Sequence, residues 1–171
     1  MGKIIDAWKQ QHYAQVPAHG ITRAYLEDAA RSFFTFLELH EDTKAAICRT
    51  LPGEAHRIDI GYMRRRADDD PDAEEKMYFH YHPEVDELFK KEIIDAGEPA
   101  TGFLNYARRV WDTTIEIARD AIHEFDALIP GTEARFFPPD KPPHLVIRFL
   151  AYHVKGEGDF LARAHYDRGT F

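Results

Sequence analysis

The residues best suited to chemistry stand together at the end of the sequence: His165-Tyr166-Asp167-Arg168-Gly169-Thr170-Phe171. On an extended strand, side chains at i and i+2 point to one face, so His165 and Asp167 present an imidazole and a carboxylate side by side. That pair is two-thirds of the two-histidine, one-carboxylate set that holds Fe(II) and leaves positions open for co-substrate and oxygen. No third ligand from the same sheet follows before Phe171, so the expected metal site is only partly supplied by these residues.

A second run carries imidazoles. His80 and His82 alternate with aromatic residues, and Glu87 follows, a grouping similar to the first metal motif of cupins. The glycines that motif needs are missing, Glu74 standing where one would precede the histidines, and no second cupin motif follows. Short metal patterns of this kind are weak, so the preferred reading is that these histidines line a substrate-facing or exposed strand. Cys48 is read as a small residue near a helix end and not as a nucleophile, since no activating partner stands beside it in sequence.

Positioning such residues takes helices and strands, and the apolar spacing outlines both. A helix is expected near Ile4–Gln10 and a short strand over His12–Val16. Thr22 is a plausible N-cap for a helix whose stripe is Leu26, Ala29/Ala30, Phe33 and Leu37. A short helix over Glu41–Ile47 and a strand over Arg57–Tyr62 come next, then a charged loop through Asp72. Lys76–His82 alternates as a strand, with Met77, Phe79 and Tyr81 on one face and Tyr78, His80 and His82 on the other. A helix with Val85, Leu88, Phe89 and Ile93 follows. The longest helix is traced by Phe103, Tyr106, Val110, Thr114, Ile117, Ala121, Phe125 and Leu128. The proline-rich run from Phe137 to Pro143 is a stiff connector. Leu145–Tyr152 reads as a strand buried on both faces, and Phe160–Phe171 as a further strand.

Composition narrows the class. With 171 residues, 44% hydrophobic and 13% aromatic, the chain can bury the core of a single domain. Lys plus Arg total 22 against 30 Asp plus Glu, a net charge of -8, which disfavours nucleic acid as a partner. The basic cluster Arg64-Arg65-Arg66, followed by Asp68-Asp69-Asp70, is read as a solvated loop. A single cysteine suits a reducing compartment, and neither a signal peptide nor a membrane-spanning segment is visible, so the expected location is the cytoplasm with no membrane partner.

Further fragments now fall into order: His19-Gly20-Ile21, Leu26, Phe33-Phe34, Lys44, Gly61-Tyr62, Glu75-Lys76, the strand Ile147-Arg148-Phe149-Leu150-Ala151-Tyr152, and the terminal His165-x-Asp167-x-Gly169-Thr170. In this order the chain resembles, from about His12 to Phe171, the isopenicillin N synthase-like Fe(II)/2-oxoglutarate-dependent dioxygenases. The resemblance implies a mixed α/β fold in which N-terminal helices lead into a double-stranded β-helix (jelly-roll) core, here incomplete. Residues 1–143 would be the mainly helical region and 144–171 the first strands of that core. It implies His165 and Asp167 as metal ligands, Tyr152 as a contact of the co-substrate 2-oxoglutarate, Fe(II) as the metal, and O2 and a small-molecule substrate as reactants. Leu150 departs from the family, whose plant members often carry Asn two residues before this tyrosine. The later histidine ligand and the arginine that anchors 2-oxoglutarate have no counterpart before Phe171. The alternative expectation is therefore a non-catalytic fragment or remnant that works through protein binding, and a half-built jelly roll ending at Phe171 predicts self-association.

Overall fold

The computed structural model describes residues 3–16, 20–49, 59–65 and 76–152. His165, Asp167 and the expected strand over Phe160–Phe171 lie outside the described residues, as do His19, Arg57, Arg66 and Glu75. The described chain is a mixed α/β structure containing a four-stranded antiparallel sheet with strands in sequence order. Its elements are α1 (Lys3–Gln11), α2 (Arg23–Leu37), α3 (Glu41–Ala45), β1 (Cys48–Arg49), β2 (Ile60–Arg65), β3 (Lys76–Tyr81), α4 (Glu84–Leu88), α5 (Lys90–Ala96), α6 (Glu98–Asp126), α7 (Thr132–Phe136) and β4 (Ile147–Tyr152). No described helix is long and apolar enough to cross a membrane.

Local chemistry accounts for the helix ends. Thr22 Oγ1 accepts from the Tyr25 amide at 3.2 Å, capping α2 as expected from its residue type. Gly97, at φ 77, ends α5 and starts α6, with Pro99 in the first turn of the long helix. The predicted strand over His12–Val16 is irregular instead: His12, at φ 62, terminates α1, and its amide still bonds the Trp8 carbonyl at 2.8 Å. The single helix expected after Pro83 is two short ones, broken at Phe89. Arg64 and Arg65 are the last residues of β2 and not part of a loop, although both are exposed.

The core forms where α2 and α6 lie against one face of the sheet. Phe33 and Phe36 of α2 and Phe103, Leu104 and Trp111 of α6 meet Tyr62, Phe79, Tyr81 and Ala151 of the strands. Phe103 is the hub, its ring centroid 5.2 Å from Phe33, 5.2 Å from Phe36, 5.1 Å from Phe79 and 5.0 Å from Phe149. The α2 stripe is rotated from the expected one: Ala29, Phe33 and Phe36 are buried, whereas Leu26 is 49% exposed.

Residues directly opposite on neighbouring strands share a face. The register Lys76↔Tyr152, Tyr78↔Leu150 and His80↔Arg148 therefore puts Tyr78, His80, Arg148, Leu150 and Tyr152 on the face turned away from α2 and α6. β4 is not buried on both faces, as its apolar run suggested: Arg148 and Leu150 are exposed on this second face. The three strands between Cys48 and Tyr81 share one sheet with β4, so sheet building starts well before residue 144.

Candidate functional site on the second face of the sheet

Tyr152 closes β4, half-buried and opposite Lys76. Two same-face positions back along β4, Arg148 donates from Nε to Nε2 of His80 at 2.7 Å. The other ring nitrogen of His80, Nδ1, lies 2.8 Å from the Asp59 carbonyl oxygen. A carbonyl only accepts, so Nδ1 carries the proton and Nε2 offers its lone pair to Arg148. The imidazole is 7% exposed and lies tilted against Tyr78 at 5.1 Å, while the Arg148 guanidinium sits 5.5 Å from the Tyr78 ring centre. Burial lowers the pKa of His80, and the Arg148 charge acts in the same direction against the raising effect of Asp59. The ring is thus held neutral, as its acceptor role requires.

His82 is built differently. Its Nε2 donates to the Pro143 carbonyl at 3.1 Å, and its Nδ1 accepts from the Glu84 amide at 3.2 Å. Its ring packs on Trp111 of α6 at 5.4 Å, on the side opposite His80. Burial lowers its pKa too. The two imidazoles therefore neither share a face nor keep a free nitrogen, and both are buried instead of lining an exposed strand. Glu87 is exposed on α4. Among the described residues no group of three His, Cys, Asp or Glu is placed to hold a metal. Cys48, in β1, has its thiol pKa raised by burial, which disfavours the thiolate.

Several fragments that carried the family resemblance meet in a joint between α2, α3 and β2. Lys44, 4% exposed, donates to the Leu37 carbonyl at 2.8 Å, pairs with Glu41 at 3.2 Å and lies over the Tyr62 ring at 5.1 Å. Burial alone would raise the Glu41 carboxyl; hydrogen bonds from Lys44 and the Tyr62 hydroxyl, with the Arg64 charge, outweigh it and hold the pKa low. Gly61, at φ 91, runs so close to β1 that a Cβ would come within 2.0 Å of the Ile47 oxygen. These residues tie the end of α2 and α3 to β2.

Sequence reading missed the His80–Arg148 pair. The partners are 68 residues apart, and only strand register brings them together. The available signal was parity: each sits at an alternate position of a strand that was itself expected. No protein-family model, curated protein or solved structure matches this chain.

Proposed function

We propose that the chain is an oxidoreductase of the Fe(II)/2-oxoglutarate-dependent oxygenase type, acting on a small molecule. In this reading the sheet is one wall of a jelly-roll core, with helices packed outside it and the reaction chamber against its second face. One observation carries the reading: Tyr152, the expected co-substrate contact, ends β4 on the face away from α2 and α6. Residues 165–167 follow β4 by only thirteen positions, which suits a further strand of the same core.

His165 and Asp167 would hold the metal, since imidazole nitrogen and carboxylate oxygen form a donor set suited to Fe(II) with positions left open. Bound Fe(II) supplies the chemistry in which 2-oxoglutarate and O2 become succinate and CO2 while the second oxygen atom oxidises the substrate. The Tyr152 hydroxyl would donate a hydrogen bond to a carboxylate of 2-oxoglutarate. Met63, Tyr78 and Leu150, which share the second face, would give the chamber an apolar wall.

The test is oxygen-dependent succinate formation by the full protein with Fe(II) and 2-oxoglutarate. Turnover is expected, with loss in His165→Ala and Asp167→Ala. Tyr152→Phe should raise the KM for 2-oxoglutarate by about 10-fold, the effect of one hydrogen bond to a charged group. Stoichiometric iron binding with no succinate formed and no oxygen consumed would sink the reading.

A further inference from the structure

We propose that Arg148 binds the carboxylate of a small organic acid on the second face of the sheet, with His80 as the residue that positions it. In the oxygenase reading this acid is the substrate being oxidised; that role rests on the reading, the binding does not.

Several other arginines of this acidic chain find carboxylates: Arg49 pairs with Glu84 at 2.7 Å, Arg108 with Asp86 at 3.0 Å and Arg64 with Glu41 at 3.6 Å. Arg148 is held by a neutral imidazole, which restrains it without cancelling its charge. Among the described residues its two terminal nitrogens have no hydrogen-bond acceptor. The restraint has two stages. The Asp59 carbonyl fixes the buried His80 ring, and that ring fixes Nε of the guanidinium. An exposed arginine normally loses rotamer entropy when it captures a ligand, and bracing reduces that cost.

With Nε committed to His80, no described residue bonds the edge formed by Nη1 and Nη2. That edge is the fork that matches a carboxylate in bidentate fashion. Tyr78 and Leu150, paired across the strands on the same face, offer ring and methyl surface for the body of the acid. One guanidinium with apolar neighbours suits an organic carboxylate better than a phosphate, which draws several donors. Arg148 and Tyr152 lie about 13 Å apart along β4 at strand rise, far enough to serve different groups.

The experiment is isothermal titration of the full, metal-free protein with phenylacetate, and with phenylacetamide as its uncharged counterpart. The acid is expected to bind and the amide to bind far more weakly. Arg148→Met should weaken the acid by about 10- to 100-fold, the range for a hydrogen-bonded charge pair, with Arg148→Lys between it and the parent. Arg148→Met leaves Nε2 of the buried His80 ring without its donor, so a lower melting temperature is expected, and affinities are compared where both proteins are folded, which separates lost binding from lost folding. His80→Gln should weaken the acid while Arg148 is still present, by less than Arg148→Met does, and Arg148→Met should cost less on top of it than in the parent.

Absence of acid binding, equal binding of acid and amide, or unchanged affinity in Arg148→Met overturns the proposal. With Fe(II) added without oxygen, a 2-oxoglutarate titration distinguishes the source of the carboxylate. Unchanged affinity in Arg148→Met assigns the site to the substrate, and a parallel loss assigns it to the co-substrate; either outcome keeps Arg148 as a carboxylate binder. Acid binding without succinate formation sinks the oxygenase reading alone. Succinate formation without acid binding sinks this site alone.

Discussion

Gly61 illustrates how one residue can set the spacing of two strands. Its φ of 91 lies in the region that L side chains avoid, and the Ile47 carbonyl that would strike a Cβ also accepts the Tyr62 amide at 2.7 Å. Gly61→Ala must either break that hydrogen bond or push β1 away from β2. We expect a loss of about 3 kcal/mol or more, combining backbone strain with the clash, measured as the shift of the urea midpoint. A loss below about 0.5 kcal/mol would mean the joint relaxes freely. Gly61, Tyr62 and Lys44 were visible in the sequence as fragments, but their joint was not. Nothing in the spacing of Lys44 and Tyr62 says that an ammonium group will lie over that ring, since their contact depends on how α3 turns into β1.

Among the elements, α6 was the most legible and α2 the most misleading. The 29-residue α6 has enough turns for its apolar period to emerge despite local exceptions. Even so, the buried face includes Leu104, Ala107 and Trp111, which lie beside the traced stripe, and Leu128 at its end is 43% exposed. In α2 the sequence Phe33-Phe34-x-Phe36 offers more aromatic residues than one face can hold, so periodicity alone cannot say which is left out. Packing decides: Phe33 and Phe36 enter the core, and Phe34 is 56% exposed. Phe103→Ala should cost about 3–5 kcal/mol, because it empties the centre of a ring cluster drawn from α2, α6, β3 and β4. Phe34→Ala should stay within about 0.5 kcal/mol. Chemical denaturation of both variants checks the contrast, and similar losses would mean that the burial pattern is wrong.

Across the whole molecule, the buried histidines make stability depend on pH. His80 and His82 both have folded pKa values below the ordinary 6.5, burial being the first cause in each. The unfolded chain therefore takes up protons before the folded one does. Their contribution is complete above the unfolded value and is lost as pH falls from there toward the folded values. His123 has the opposite sign, its pKa raised by a hydrogen bond to Glu133, so its contribution fades as pH rises; the pair is exposed and screened, which makes it the weaker influence. The melting temperature should fall between about pH 7.5 and about pH 5.5 in the titration range of histidine. Thermal melts across that interval check the sign, and a flat or rising curve would show that the two rings are not held neutral.

The amino-acid sequence alone was enough to establish a mixed helix and strand protein, the N-cap at Thr22, the existence of the long helix and the alternation of the strand at Lys76. Each of these depends on neighbours within a few turns or one strand length, where spacing and residue type act directly. Tertiary structure decided which faces are buried, that β4 joins β3 in one antiparallel sheet, and that Arg148 meets His80 across it. Those outcomes follow from register and packing, which couple residues far apart in the chain. A shift of one residue in the pairing would turn Arg148 to the core and Phe149 to the open face, and nothing local in either strand forbids it. The packing of Phe149 against Phe33 and Phe103 does.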